Sequence, residues 1–276
     1  MDLSIIILNY KSQGLTKQSL KGIELLKPNM EFETIVVDNN SGDGTAEMVR
    51  DEFPWAKLIA SSENRGYAAG NNLGIKASTG KYIMIMNPDI AIMNNSLEVL
   101  YRYMEEHPKV GLCGPRLINP DGSVQASCRT FQTPGILLYR RTPLGRLPFA
   151  RKILRHHMML DWDHGSNQPV DWMIGACFFV RREAMEKVGL LDERFFLYME
   201  DLDWCRRFWQ SGYEVHYVAD AEMVHYHQRL SAENPGLSGV FSYGTRIHIK
   251  SAIRYFAKYF GDKQAIRPPT HDNIPQ

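Results

Sequence analysis

Nearly continuous apolar runs alternate with amphipathic segments along the first third of the chain. Runs such as Leu3–Leu8, rich in Ile and Leu, are typical of strands covered on both faces. Segments with apolar residues on one side, such as Gly14–Leu26, are typical of helices. The predicted strands are Leu3–Leu8, Thr34–Val37, Lys57–Ala60, Tyr82–Met86 and Val110–Gly114, and the predicted helices are Gly14–Leu26, Thr45–Phe53, Gly66–Ser78 and Ser96–Glu106. Such repeats predict an α/β fold with right-handed crossovers and a mostly parallel central sheet, with helices on both faces.

The alternation stops at Pro115, and the chain up to about Pro169 is rich in Pro, Gly and basic residues. We interpret this segment as an excursion from the sheet that contains a short amphipathic helix over Phe149–Leu160. Regular patterning then returns. It predicts strands Trp172–Val180 and Tyr213–Val218, helices Arg181–Val188 and Asp201–Ser211, and one or two C-terminal helices within Leu237–Phe260.

The composition is that of an ordinary soluble protein, with 276 residues of which 44% are apolar and 23% are charged. The four cysteines form no CxxC pair, so a zinc ribbon or a disulfide framework is disfavoured and reduced thiols are expected. The N-terminus lacks the basic start of a signal peptide, and no run of about 18 apolar residues predicts a membrane span. We therefore expect a cytoplasmic protein.

The net charge of +1 argues against a nucleic-acid-binding protein, but the charge is unevenly distributed. Residues 122–160 contain seven Lys and Arg and no Asp or Glu, which leaves about −6 on the rest of the chain. One interpretation is a solvated basic loop. The other is peripheral contact with the inner face of the cell membrane, or with a lipid-diphosphate acceptor, which is favoured by apolar residues between the charges. These are Leu137, Leu138, Leu144, Leu147 and Phe149.

Polar clusters follow three of the predicted strands, and in parallel sheets ligands bind at the carboxyl ends of strands. The clusters are Asn9-Tyr10, Asp38-Asn39-Asn40 and Asn87-Pro88-Asp89. Asp38 could accept a hydrogen bond from a pyrimidine N–H or a ribose hydroxyl, or could simply form a turn. The Gly-rich loop after Asp38 lacks the GxGxxG pattern, which disfavours a dinucleotide-binding dehydrogenase.

Two acidic segments are candidates for chemistry. Asp89, at the end of the strongest internal strand, could hold Mg²⁺ or Mn²⁺ together with substrate phosphates, or could belong to an ordinary turn. Glu200-Asp201-Leu202-Asp203 opens a predicted helix, where acidic residues are favoured by the helix dipole alone. The aromatic run Phe195–Met199 before these acids instead suggests carboxyl groups of raised pKa, suited to general-base catalysis.

His225 and His227 are two residues apart on a predicted strand, so their side chains should share one face. They could be packing residues or metal ligands.

Taken together and in order, these segments resemble the inverting glycosyltransferases of family 2, which have the GT-A fold. The resemblance is closest to the bacterial rhamnosyltransferase-like members. It is carried by Ile5–Tyr10, Val36–Thr45, Asn64–Asn72, Met86–Asp89, Asp171–Ala176 and Phe195–Asp203. Each motif is weak alone, whereas six in the right order are a specific signal.

The resemblance implies a role for each matching position. It implies that Asp201 is the catalytic base, with Glu200 as the alternative, and that Asp89 retains the metal site with His225 completing the shell. The first Asp of the family's DxD motif is Asn87 here, which leaves the number of protein ligands open. The donor nucleotide is expected at Asn9, Asp38, Asn40, Arg65 and Asn87, and the acceptor or sugar at Trp172, Gly175, Glu200 and Asp203. A surface ion pair explains Arg65 equally well.

The resemblance also implies the organisation and the partners of the protein. Residues 1–115 would bind the nucleotide sugar, residues 116–262 would form the acceptor-binding and catalytic half of the same domain, and residues 263–276 would be a flexible tail. The donor would be a nucleotide-diphosphate sugar, and the branch resembled implies dTDP-rhamnose. The cofactor would be Mg²⁺ or Mn²⁺. The acceptor would be a glycan or a polyprenyl-diphosphate-linked glycan in cell-surface polysaccharide synthesis.

Two alternatives remain from other classes. A nucleotidyltransferase that makes sugar nucleotides shares the α/β plan, but the residues after the first strand lack its glycine-rich basic signature. A non-catalytic nucleotide-sugar-binding protein would have no use for a base at Asp201.

Overall fold

Strands and helices alternate through the first half of the computed structural model, which describes residues 1–26, 28–93, 95–226 and 243–262. The strands are β1 (Leu3–Asn9), β2 (Phe32–Asp38), β3 (Lys57–Ala60), β4 (Tyr82–Met86), β5 (Ile90–Ile92), β6 (Val110–Ile118), β7 (Cys128–Arg129), β8 (Gln168–Pro169), β9 (Trp172–Met173), β10 (Cys177–Arg181) and β11 (Glu214–His225). The helices are α1 (Gln13–Leu26), α2 (Thr45–Glu52), α3 (Gly66–Ala77), α4 (Ser96–Glu106), α5 (Pro134–Arg141), α6 (Pro148–His157), α7 (Arg182–Val188), α8 (Glu200–Gln210) and α9 (Tyr243–Lys258). A 3-10 turn, Pro143–Arg146, joins α5 to α6.

The central sheet has the strand order β3-β2-β1-β4-β10-β6-β11-β5, and β8 pairs with β11. From β3 to β4 all neighbours are parallel, and β6 is parallel to β11. Strand β10 runs antiparallel between β4 and β6, so a strand from the second half of the chain lies between two from the first. The predicted α/β fold with a mostly parallel sheet is confirmed.

Helices cover both faces of this sheet because the central strands are apolar on both sides. Every residue of β1 and β4 is buried. Ile6 and Ile35 pack with α3 and α8 on one face, whereas Ile5 and Ile7 pack with α1, α2 and α4 on the other. The loops at the carboxyl ends of β1, β2 and β4 are therefore held from both sides.

The predicted strand Trp172–Val180 is wrong in its middle. The chain leaves the extended conformation at Ile174–Ala176, between β9 and β10. The cause is a set of contacts from distant parts of the chain: the Ile174 amide donates to the Ser127 carbonyl, and the Gly175 amide donates to Asp201. Such contacts cannot be predicted from the local hydrophobic pattern.

Other boundaries differ for similar reasons. Strand β6 continues through Pro115 to Ile118, and β11 continues beyond Val218 to His225 because the two strands pair along their length with a register shift. Strand β5 and helix α5 were not predicted. Positions 227–242 and 263–276, which include His227, the start of the predicted C-terminal helices and the predicted tail, lie outside the described residues.

Candidate functional site

Asn9 and Asp38 lie side by side at the ends of β1 and β2. The Asn9 amide nitrogen donates to Asp38 Oδ1 at 3.1 Å and to Ser41 Oγ at 2.9 Å, and its carbonyl oxygen accepts from Thr16 Oγ1 at 2.9 Å. Asn9 is fully buried, so its amide positions Asp38 instead of reaching a ligand itself. The expectation that Asn9 contacts the nucleotide is corrected to this positioning role.

The neighbouring loops carry Asn40 and Arg65. Asn40 is exposed and adopts a left-handed conformation with φ of 60°, which Asn tolerates better than most residues. The Arg65 amide donates to Asn39 Oδ1 at 3.0 Å, which joins the loop after β2 to the start of α3. The Arg65 side chain is 41% exposed and lies 3.7 Å from Glu63 Oε1, which is the geometry of a surface ion pair.

The Asn87-Pro88-Asp89 turn is held by three elements through its backbone. The Asn87 amide donates to the Ala176 carbonyl at 2.9 Å, and the Pro88 carbonyl accepts from Ser19 Oγ at 2.7 Å. The Asp89 carbonyl accepts from the Tyr226 amide at 2.9 Å. The carboxylate of Asp89 is therefore presented from a fixed backbone.

Asp89 meets His225, and their arrangement fits a divalent cation. His225 Nε2 lies 3.4 Å from Asp89 Oδ2, and His225 Nδ1 lies 2.7 Å from Gln125 Oε1. Gln125 donates through its amide nitrogen to Asn119, so its oxygen faces His225 and must accept from Nδ1. In the neutral imidazole Nε2 then presents a lone pair towards Asp89, and a proton or a cation must separate the two acceptor atoms.

A second observation supports the same fit. Asp89 Oδ1 is buried and has no hydrogen-bond partner within the described ranges. Those ranges hold no cluster of three or more His, Cys, Asp or Glu side chains suited to a metal. The chain therefore offers Asp89 and His225, and donor phosphates and water would supply the remaining ligands.

Asp201 lies in the first turn of α8 and accepts two backbone hydrogen bonds. The Gly175 amide donates to its Oδ2 at 3.2 Å and the Leu202 amide to its Oδ1 at 2.8 Å. Burial raises the pKa of Asp201 above its ordinary value, and these two hydrogen bonds oppose the rise.

Glu200 is the more strongly perturbed of the two adjacent acids. Burial and then the charge of Asp201 raise the pKa of Glu200 well above its ordinary value. Its Oε2 is buried, without a hydrogen-bond partner in the part of the chain that the structure describes. Because two adjacent buried carboxyl groups do not readily ionise together, the two acids titrate as a pair, and burial raises the pKa of both.

The segment Gly175-Ala176 links the two halves of the site. Gly175 donates to Asp201, and Ala176 accepts from the amide of Asn87 in the Asn87-Pro88-Asp89 turn. A Cβ on Gly175 would lie 3.2 Å from the Tyr67 hydroxyl oxygen and 3.3 Å from Asp201 Cβ, so only glycine allows this approach without displacing a neighbour. The Tyr67 hydroxyl itself donates to the Gly175 carbonyl.

Trp172 lies beside this segment but faces the core. It is 7% exposed, and its indole nitrogen donates to the Thr130 carbonyl at 2.8 Å. Trp172 therefore packs behind the site, and its contact with the acceptor or the sugar stays a prediction.

Asp203 is also displaced from its expected role. Its carboxylate is fully buried and accepts from Arg207 Nε at 2.8 Å, Lys258 Nζ at 2.5 Å and the Tyr259 hydroxyl at 2.7 Å. These partners join α8 to α9. The expectation that Asp203 contacts the acceptor is corrected because both of its oxygens are engaged in the protein interior.

This structural role predicts the effect of Asp203→Ala. Loss of the carboxylate leaves Lys258 and Arg207 without this partner in a buried environment, which should lower the free energy of unfolding by about 3 kcal/mol. The control is Glu183→Ala, which removes an exposed ion pair to Lys187 and should cost less than about 1 kcal/mol. Urea denaturation measures both, and similar small losses would contradict the structural role.

Some residues of the site were missed by the sequence patterns. Gln125 lies 100 residues from His225, in a segment without regular periodicity, so no local signal predicted its contact. Gln125, Arg129 and His225 line a cleft of about 670 Å³ together with Met158, the residue after α6.

Tyr198 and Met199 both have positive φ, 68° and 73°, directly before Glu200. Such strained backbone is typical of functional sites.

The fold is the GT-A fold of glycosyltransferases. A mannosyltransferase from Pyrobaculum calidifontis, solved with GDP-Man and Mn²⁺, superposes with a TM-score of 0.62 at 20% identity over 95% of this chain and 65% of its own. GalNAc-T7, solved with UDP, GalNAc and Mn²⁺, superposes with a TM-score of 0.65 at 15% identity over 93% of this chain and 48% of its own. This chain thus spans less than two thirds of either solved chain.

The sequence identifies the family. Residues 4–189 match the family model described as glycosyl transferase family 2, and the chain belongs to that family. It is 30% identical over 218 residues to the N-acetylglucosaminyl-diphospho-decaprenol L-rhamnosyltransferase of Mycobacterium tuberculosis, covering 73% of this chain and 68% of that protein. The predicted family, fold and class of enzyme are confirmed.

None of the helices in the described ranges is long and apolar enough to cross a membrane.

Proposed function

We propose that this glycosyltransferase moves a sugar from a nucleotide-diphosphate donor to an acceptor hydroxyl with inversion at the anomeric carbon. The observation that carries the proposal is the Gly175-Ala176 segment. One backbone group there fixes the carboxylate of Asp201, and the next residue fixes the turn of Asp89. The proposed base and the proposed diphosphate-binding turn thus contact adjacent residues of one segment, which supports a direct displacement.

The proposed mechanism uses one base. Asp201, ionised while Glu200 stays protonated, accepts the proton of the acceptor hydroxyl as its oxygen attacks the anomeric carbon. The bond from that carbon to the departing phosphate breaks in the same displacement, so the configuration inverts. Asp89 and His225 would hold Mg²⁺ or Mn²⁺, which when bound neutralises the charge that develops on the diphosphate.

The substrates are proposed on the comparison with relatives. The Mycobacterium tuberculosis relative is named as an N-acetylglucosaminyl-diphospho-decaprenol L-rhamnosyltransferase, which supports rhamnose as the transferred sugar and a glycan or polyprenyl-diphosphate-linked glycan as acceptor. We propose dTDP-rhamnose as the donor. Asp38, positioned by Asn9, would bind the base or ribose, with Asn40, Arg65 and Asn87 nearby. We propose that the reaction takes place in the cytoplasm and contributes to cell-surface polysaccharide.

A thermal-shift panel of nucleotide sugars tests this function. A bound donor at 100 times its dissociation constant should stabilise the protein by about 2.7 kcal/mol, and the shift should require Mn²⁺ or Mg²⁺. Asp38→Ala should lose most of the shift. Glu47→Ala, at an exposed position of α2, serves as the control.

The panel also separates the alternatives. A shift with dTDP-rhamnose followed by transfer to an acceptor supports the proposal, and a shift without turnover on any acceptor would favour a non-catalytic binding protein. A response only to a nucleoside triphosphate with a sugar phosphate would indicate a nucleotidyltransferase.

A further inference from the structure

A helical hairpin beside the cleft exposes an unusual number of large apolar side chains. The hairpin consists of α5, the 3-10 turn and α6, and its two arms meet where Tyr139 packs edge-to-face on Phe149 with ring centroids 5.8 Å apart. The apolar residues that lie 40% or more exposed here are Leu138, Leu144, Leu147, Phe149 and Ile153. We call these five residues the hairpin surface.

Helix α6 shows that this exposure is built into the fold. Ala150 and His157 are buried and Leu154 is half-buried, so this stripe faces the protein. Phe149 and Ile153, four residues apart, form a second apolar stripe on the outward side, at 55% and 40% exposure. A helix that packs only on its own domain needs one apolar stripe, so the second stripe is available to a partner.

The charges around the hairpin surface indicate what that partner is. Exposed basic side chains occur along the same hairpin, and residues 122–160 contain no Asp or Glu. These basic residues are Arg140, Arg146, Arg151, Lys152 and Arg155, of which Arg155 pairs with Asp161 at 2.7 Å. A second copy of the chain would bring like charges together on this face, which opposes self-association. Apolar side chains surrounded by cations instead match the interface of an anionic bilayer.

We propose that the hairpin surface docks the enzyme on a membrane that contains anionic lipid. Phe149 and Ile153 enter the headgroup region, and exposed cations of the hairpin, among them Lys152 beside this stripe, attract the lipid phosphates. Met158, directly after α6, lines the cleft that also contains His225, so docking brings the rim of this cleft to the membrane. Delivery of a lipid-linked acceptor to that rim rests on the proposed function, whereas the docking itself does not.

Flotation with lipid vesicles tests the docking in the absence of any substrate. The protein should float with vesicles of phosphatidylcholine and phosphatidylglycerol, should not float with phosphatidylcholine alone, and should be released by salt. The double variant Arg151→Ala/Lys152→Ala should bind about 25-fold more weakly, at about fivefold for each basic residue. Phe149→Ser should also weaken binding to the anionic vesicles.

Matched controls lie on another part of the protein. Leu25→Ser removes an apolar side chain that is 82% exposed at the end of α1, and Lys21→Ala/Arg50→Ala removes two exposed cations from α1 and α2. Both controls should float like the wild type, and thermal melting should show that every variant is folded.

Several outcomes would overturn the docking proposal. These are absence of flotation with anionic vesicles at low salt, equal flotation of the hairpin variants and the controls, and a wild-type dimer that the hairpin variants dissociate. Donor-induced thermal shift is measured on the same proteins. If the donor produces no thermal shift in the wild-type protein, the proposed function is contradicted, whereas the docking result is unaffected.

Discussion

Asp201→Asn is expected to lower kcat at least about 100-fold while donor binding is preserved. The amide keeps the shape of the carboxylate but cannot accept a proton from the acceptor hydroxyl. Donor binding should persist because the Asn9–Asp38 pair and the Asp89 turn are held by other contacts. Turnover is measured with saturating donor and acceptor, and donor affinity by thermal shift. Unchanged turnover would remove Asp201 from the mechanism.

Glu200→Gln is the matched control for this variant. In the proposed mechanism Glu200 stays protonated, so the neutral amide resembles its working state and most of the turnover should remain. The opposite result, a large loss in Glu200→Gln and a small one in Asp201→Asn, would assign the base to Glu200.

Asp201 and Glu200 together determine the expected pH dependence of kcat. A base must be deprotonated to accept a proton, so kcat should fall as the pH drops through the apparent pKa of the pair. Burial raises the pKa of both acids, and the acidic limb should therefore lie above the pH at which an ordinary carboxyl group titrates. A kcat profile that is flat down to the ordinary carboxyl range would contradict a base at this position.

Removal of the metal is the second test with a large expected effect. Chelation with EDTA should abolish transfer, and Mn²⁺ or Mg²⁺ should restore it. Asp89→Ala should lower Mn²⁺ affinity and kcat/KM at least about 100-fold, whereas Gln125→Ala, which removes the acceptor of His225 Nδ1 and the hydrogen bond to Asn119, should cost about 10-fold.

Mn²⁺ affinity is measured directly by titration calorimetry with and without donor. Asp51→Ala, at an exposed position of α2, is the control for loss of an acidic residue. Full activity in the chelator, or unaltered Mn²⁺ binding in Asp89→Ala, would remove the metal from this site.

The sequence predicted the parts of the fold that local patterning controls. The strands Leu3–Leu8 and Tyr82–Met86 have apolar residues on both faces, and the structure places them at the centre of the sheet. The positions of Asp38 and Asp89 followed from the rule that ligands bind at the carboxyl ends of parallel strands. Such features depend on residues that are close in sequence.

The missed features depend on residues that are far apart. The break at Ile174–Ala176 arises from partners at Ser127 and Asp201, and the interior role of Asp203 arises from Lys258 and Tyr259. An acidic residue in the first turn of a helix has the same local pattern whether it faces a substrate or the core. Only the tertiary contacts distinguish Asp201 from Asp203, two residues further along α8.

The Gly175-Ala176 link has a consequence for how the enzyme can diversify. Because main-chain groups hold both Asp201 and the Asp89 turn, side chains elsewhere on the cleft wall can be exchanged without displacing either. Val124 and Met158 line that wall and contribute no hydrogen bond to this link. Exchange of those two side chains should therefore leave the contacts of Asp201 and of the Asp89 turn intact, provided that the glycine is kept.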